Sequence, residues 1–407
     1  MDRSRVVNAA KSVALPLVRV HRRRLRGRTT FVGVTGSAGK TTTTRLLHAV
    51  LSERGPVAPR RRGPAQAWKL VKSLLSTRGR HWACVHDLAL SQPGVLDELV
   101  RTFEPDVAVV TTVGLDHWRA FGSRDAVARE KRKVVEALRP DGVAVLNADD
   151  AQVRGMRNAA PGRVVLYGEA ADADVRAEDV RVDERGRLSF TLVHDGWRRP
   201  VATRLQGELW LPSVLASLAT GLALGVDPGA AVRAVGIVEP VLHRLSVLEA
   251  PSGVTYLRDD WKAPPQSVLP ALDALAAAPA RRRVAVLGEV SDVRRYQPLF
   301  RDLAREARER ADLVVLVGQK ARHGLRARTG DDDRTIVHFD GAPEAGDFLR
   351  REVAPGDVVL LKANRTPEHL ERIALASVLP VRCRRVSCTK RVSCDDCRLL
   401  LRPNGSD

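Results

Sequence analysis

The segment Thr35-Gly36-Ser37-Ala38-Gly39-Lys40-Thr41-Thr42 carries the residue types that hold phosphate. It follows the short apolar run 30–34 and precedes a helical pattern at 40–52, which is the strand–loop–helix order of a phosphate-binding loop. Gly36 and Gly39 let backbone N–H groups approach phosphate oxygens, and the start of the helix adds its dipole. Lys40 supplies a positive charge for the β- and γ-phosphates, and the Thr41 hydroxyl can ligate Mg²⁺. The generic loop has glycine six residues before the lysine. Here that position is Val34 and the glycine is Gly36, so the loop is a variant form. A nucleoside triphosphate is the ligand these residues imply.

Three further positions could complete such a site. Asp87 ends the apolar run 82–85, at the carboxyl edge where parallel sheets meet their ligands. An acid there can hold Mg²⁺ beside phosphates. His117 follows another run, 107–111, and its imidazole could be a metal ligand or a structural group. In the helical pattern 123–138, Val127, Lys131, Val134, Val135 and Leu138 share one apolar face. Two readings stand for Lys131. In one, the head extends to water along an apolar stem. Alternatively, burial lowers its pKa and exposes a neutral amine that CO₂ can carbamylate, giving an anion able to bind metal.

The elements that must position these residues alternate. Apolar runs at 30–34, 82–85, 107–111, 143–146 and 164–166 are separated by helical patterns at 40–52, 93–103 and 123–138. This predicts an α/β domain with a mostly parallel sheet. A hairpin is expected at 180–193 around Arg185-Gly186, then a single helical stretch at 211–236. A second alternation, with strands at 254–257, 284–287, 313–317, 336–339 and 358–361, predicts a Rossmann-like domain. Helices are expected at 268–279 and 297–311. The expected organisation is a basic leading helix at 1–28, an ATP-binding domain at 29–242, a second domain at 243–378 and a Cys-rich basic tail at 379–407.

The loop, the strand-end acid, GLDH followed by FGS, AREK and DGVAVLNADD occur in the order that resembles the Mur ligase family. The match looks closest to its MurF branch and spans roughly residues 28–375. The segments at 240–267, 286–290 and 356–365 resemble later motifs of that branch. The resemblance implies an ATP-dependent carboxylate–amine ligase that works through an acyl phosphate. It also implies particular roles: Lys40 on the γ-phosphate, Thr41 and Asp87 on Mg²⁺, His117 and carbamylated Lys131 at a second Mg²⁺. Arg244 would contact ATP phosphate and Asp259 the ribose. Asp87 stands where the family usually has Glu.

Four departures accompany the resemblance. Only about 28 residues precede the loop's strand, where peptidoglycan enzymes carry a UDP-sugar domain. The adenine-side His-Asn-x-x-Asn motif is replaced at 209–213 by Leu-Trp-Leu-Pro-Ser. An Asn/His-rich run is replaced at 261–265 by Trp-Lys-Ala-Pro-Pro. An Asn-rich loop is replaced at 60–63 by Arg-Arg-Arg-Gly. The phosphate side is kept while the base and acceptor sides differ, so an acid other than a UDP-muramoyl peptide is expected. Trp210 or Trp261 could stack on a base, or belong to the core. The alternatives are a degenerate Mur-like scaffold or partner subunit, and a P-loop protein that binds nucleic acid.

The chain has 67 Lys and Arg against 48 Asp and Glu, a formal net charge of +19. The arginines are spread along the whole length and aromatics are 4%. That distribution gives little support to a nucleic-acid surface, which needs clustered cations and stacking rings. No run of 18 apolar residues exists, so no transmembrane helix is expected. The N-terminal segment reads as a helix rather than a signal peptide, with a membrane-surface role as the alternative. The expected setting is the reducing cytoplasm. Cys84 reads as a small core residue. Cys383, Cys388, Cys394 and Cys397 are spaced C-x4-C-x5-C-x2-C, a set of soft ligands suited to structural Zn²⁺. An Fe–S cluster and free thiols are the other readings, and the basic tail could also engage a protein partner.

Overall fold

Apolar, valine-containing runs buried on both faces form the centre of each sheet, as parallel strands covered by helices require. The first sheet contains β1 (Thr30–Thr35), β2 (Ala83–Asp87), β3 (Val107–Val110), β4 (Val143–Asn147), β5 (Arg163–Gly168), β6 (Val175–Val182), β7 (Arg187–His194) and β8 (Trp197–Gln206), in the order β2-β1-β3-β4-β5-β6-β7-β8. Pairing is parallel from β2 through to β6. The second contains β9 (Ser246–Glu249), β10 (Thr255–Asp259), β11 (Arg283–Leu287), β12 (Leu313–Val317), β13 (Ile336–Phe339) and β14 (Val358–Lys362). Its order is β13-β12-β11-β14-β10-β9, parallel except for β9 on β10. This computed structural model describes residues 3–60, 66–90, 92–114, 118–291, 293 and 295–402.

Two compact units result. One comprises residues 1–180, 189–203 and 210–238, and the other 181–188, 204–209 and 239–407. The α/β class and the parallel sheet agree with the pattern of apolar runs. The single helix expected at 211–236 is instead two, Leu211–Ala223 and Pro228–Gly236. Gly225 takes φ +75°, which ends the first. Asp227 then caps the second through Oδ1, which accepts from Ala230 N at 2.8 Å, and Pro228 opens its first turn. A helix at Gln66–Ser76 and strand β8 were not anticipated.

The N-terminal helix, Arg3–Arg24, is part of the first unit's core. Leu15, Val18 and Leu25 are buried with Phe31 and Phe103. Arg22 is 1% exposed. Its guanidinium lies 3.7 Å over the Phe31 ring, donates to the Phe103 carbonyl at 2.8 Å and pairs with Asp106 at 3.1 Å. Such a pair adds little net stability but is costly to break on one side, so it fixes the helix's register. Cys84 is buried, as expected of a core residue, and accepts a hydrogen bond from Thr77 Oγ1 at 3.3 Å. Among the described residues no helix is long and apolar enough to cross a membrane.

Candidate active site

The phosphate loop joins β1 to the helix Lys40–Ser52 at the carboxyl edge of the sheet. Two of its glycines are required by geometry. A Cβ on Gly36 (φ +148°) would lie 1.9 Å from Thr111 Oγ1, and one on Gly39 (φ +79°) would lie 2.6 Å from Ser213 Oγ. The loop is held from β3's exit: Ser37 N donates to the Thr112 carbonyl at 2.8 Å, and Ala38 N to Thr112 Oγ1 at 3.2 Å. Thr111 Oγ1 donates to the Ala38 carbonyl at 2.6 Å, and Gly114 N donates to Ser37 Oγ at 2.7 Å. Lys40 is half-buried and its Nζ donates to the Gly36 carbonyl, so the charge sits inside the loop. Thr41 and Thr42 follow in the first helical turn, Thr41 half-buried and Thr42 buried. Gly36 has no room for a side chain, and Lys40 lies within the loop. These features fit a phosphate cradle.

Asp87 ends β2 in register with Val34, the last residue but one of β1. Its Oδ1 is buried and has no hydrogen-bond partner among the described residues. An orphaned carboxylate oxygen beside a phosphate loop suits a hard cation such as Mg²⁺. The preceding His86 is buried and kept neutral, its pKa pushed down to about 3 by desolvation.

Lys131 is 0% exposed on the helix Arg124–Glu136, so the reading in which its head reaches water does not hold. The neighbouring Glu130, not singled out from sequence, positions that helix. Its Oε1 accepts from Gly94 N at 2.9 Å and Leu96 N at 3.3 Å, capping the helix Val95–Phe103. Its Oε2 accepts from Lys133 Nζ at 2.8 Å. His117 lies outside the described residues. The described backbone just before it is anchored: Val113 N donates to Asp150 Oδ2 at 2.8 Å, and Arg124 Nε donates to the Val113 carbonyl at 2.8 Å. Thr111, Thr112, Glu130 and Ser213 shape the site without any spacing signal. Only their occurrence inside or near the quoted motifs could have drawn attention to them. Trp210 is 6% exposed and belongs to the core.

In the second unit, Asp259 and Lys362 end the adjacent strands β10 and β14 in register and form an ion pair at 2.5 Å. Both are buried. Burial lowers the Lys362 pKa, Asp259 opposes this, and the charge of Arg244 adds to the lowering. Arg244 is half-buried between two non-glycine residues in the left-handed region, His243 (φ 64°) and Leu245 (φ 47°). Such backbone costs energy and persists only where the surroundings enforce it. Trp261 is 42% exposed, with the Arg365 guanidinium 4.0 Å from its ring centroid and the His243 ring on it at 5.5 Å.

His243 itself is buried. Its Nδ1 meets Asp260 Oδ1 at 2.6 Å, and its Nε2 lies 3.2 Å from Asp395 Oδ2. Burial opposes its charge, yet Asp260 and Asp395 prevail over burial and over the nearby Arg258, and its pKa rises to about 9. With the folded value above the unfolded one, the protonated pair's contribution is complete below about pH 6.5 and lost as pH rises through about 9. The melting temperature of the wild type should therefore fall more steeply across that upper range than that of His243→Gln. Parallel melting curves for the two proteins would contradict this.

The tail cysteines fall within the second unit, around one small cavity.

A phosphate loop at the carboxyl edge of a parallel sheet, followed by a second mostly parallel α/β unit, defines a two-domain enzyme of the P-loop class. The sequence model of the Mur ligase middle domain matches residues 34–221, and that of the Mur ligase glutamate ligase domain matches 243–365. The UDP-N-acetylmuramoyl-tripeptide–D-alanyl-D-alanine ligase of Mycobacterium leprae is 32% identical, covering 88% of this chain and 74% of that protein. The ligase of the same description from Bacillus subtilis is 25% identical, covering 83% and 73%. A crystal structure of MurF from Acinetobacter baumannii has a TM-score of 0.82 at 24% identity, covering 90% of this chain and 80% of that one. MurF from Thermotoga maritima in complex with ADP has a TM-score of 0.77 at 24% identity, covering 91% and 82%. The chain belongs to the Mur ligase family of ATP-dependent amide-bond ligases.

Proposed function

We propose that this ligase joins a carboxylate to an amine through an acyl phosphate, and that its acid differs from UDP-muramoyl tripeptide. The observation that carries the chemistry is the pairing of a closed phosphate loop around Lys40 with the orphaned Asp87 Oδ1 at the adjacent strand end. Backbone N–H groups at the start of the helix Lys40–Ser52 would orient the triphosphate, and Lys40 would meet charge developing on the γ-phosphoryl group. Thr41 and Asp87 would hold Mg²⁺, which neutralises phosphate charge when bound. Carbamylated Lys131 and His117 would serve a second ion. In the second unit, Arg244 would offer a cation to phosphate and Asp259 would accept from the ribose. A carboxylate oxygen of the acid takes the γ-phosphoryl group as ADP leaves. The amine nitrogen then bonds to the acyl carbon, inorganic phosphate departs, and the nitrogen loses a proton.

The substrate reading is supported by residues 261–265, where Trp261 and Arg365 present a cationic aromatic surface instead of the family's Asn/His-rich run. Its test is ATP-dependent phosphate release. The relatives' pair, UDP-muramoyl tripeptide with D-alanyl-D-alanine, is compared with peptide acids that lack the uridyl group. Turnover with the latter and none with the former is expected. Efficient turnover of the relatives' pair would overturn the substrate reading and leave the ligase chemistry intact.

A further inference from the structure

The four tail cysteines have no role in the ligation chemistry proposed above, yet all four line one cavity. Cys383, Cys388, Cys394 and Cys397 all carry free thiols and line one small cavity in the second unit. His369 lines it too. It is 1% exposed, its Nδ1 lies 3.6 Å from Cys394 Sγ, and its Nε2 has no hydrogen-bond partner among the described residues. His369, Glu371 and Cys394 each bring a ligand atom within 4.8 Å of the others. The cavity wall therefore offers soft sulfur with a buried imidazole alongside.

Two physical arguments favour a metal over idle thiols. First, the tail has almost no core of its own. Its apolar cluster is Leu375, Cys394 and Leu400 with Val381 against them, while Val386, Val392 and Leu401 are exposed. A loop-rich segment with so little buried surface needs a covalent or metal staple to keep one conformation. Second, four thiolates around a divalent ion carry a net charge of about −2, and such a charge needs cations beside it. The cavity supplies them: Arg372 Nη1 donates to Cys383 Sγ at 3.7 Å, and Arg385 and Lys390 line the same space.

The tail is also tied to the segment that carries Arg244. Asp395 accepts from Arg258 Nη1 at 2.9 Å and from Nη2 at 2.7 Å. Ser393 Oγ lies 3.1 Å from His243 Nε2, and Cys394 N donates to Glu371 Oε1 at 3.2 Å. Ser393 and Asp395 flank Cys394, so whatever holds that cysteine holds them against His243 and Arg258. His243 adjoins Arg244 in strained backbone.

We propose that Cys383, Cys388, Cys394 and Cys397 bind one zinc-class divalent ion, and that this site staples the tail onto His243 and Arg258 and so steadies Arg244. The bearing on Arg244 rests on the ligase reading above; the metal site does not.

The test uses the full chain purified without a metal-affinity tag. Elemental analysis should find about one Zn²⁺ per chain. Stepwise mercuration of thiols should release it as four cysteines react. Replacement by Co²⁺ should give sulfur-to-cobalt charge-transfer absorption. The double variant Cys388→Ser/Cys397→Ser should lose the ion, and Cys84→Ser should keep it. In the double variant the KM for ATP should rise about tenfold with kcat little changed. Zinc retained in full by the double variant would overturn the site. So would wild-type chain that takes up no ion from Zn²⁺ solution, or disulfides among the four cysteines in freshly purified, metal-free chain. Loss of zinc with an unmoved KM would overturn the link to Arg244 alone. The ligase reading is tested independently by substitution of Lys40.

Discussion

Lys40→Ala should lower ATP-dependent phosphate release by roughly 10²–10³-fold, as removal of a single preorganised charge from a transition state does. That corresponds to about 3–4 kcal/mol of lost stabilisation. The reason lies in the loop's geometry. Lys40 Nζ already lies against the Gly36 carbonyl inside the turn. It therefore needs little reorganisation to meet charge that develops on a transferred phosphoryl group. Gly36 and Gly39 admit no side chain there, so no neighbour can take over the role. The fold should survive, because Lys40 is half-buried and its hydrogen bond is to one carbonyl of its own loop. Unchanged melting with lost turnover is the expected pair of results. A variant within threefold of wild type under saturating ATP would remove Lys40 from the chemistry.

Local features were legible from sequence because they are written in short windows. The loop's glycines, the strand runs at 30–34, 107–111 and 143–146, and the second alternation from residue 254 onward all found counterparts in the fold. What escaped was long-range. Ser213 closes over Gly39 from a helix far along the chain, and Glu130 caps the helix Val95–Phe103 from a different element. Neither has a periodicity or spacing that would mark it, because its partner is chosen by packing. The same limit explains the tail. Its cysteine spacing could be read, but not that Ser393 and Asp395 would meet His243 and Arg258. The helix at 211–236 was over-extended because its Ala and Leu content outweighed a single Gly-Val-Asp-Pro break. Lys131 is the instructive intermediate case. Helical spacing put it on the apolar face, but only packing could decide whether its head turned inward.

That inward turn leads to the second large effect. Lys131 is fully buried beside Val127, Val134 and Val135 on one helix. A neutral amine can attack CO₂, forming an N–C bond and releasing a proton, and the resulting carbamate is an anion suited to a hard cation. Lys131→Ala should therefore cost roughly 10²-fold or more in turnover, as loss of a charged group at the reacting phosphate does. Formate or acetate, small enough to enter the space left behind, should restore part of the loss in Lys131→Ala. They should do nothing for Lys131→Met, whose stem fills that space. After exposure to ¹³C-bicarbonate, the wild type should show a carbamate resonance that both variants lack. The carboxylate rescue and the carbamate resonance separate this role from a structural one. If Lys131 served packing alone, Lys131→Met would turn over at the wild-type rate, and neither the carboxylate rescue nor the resonance would appear.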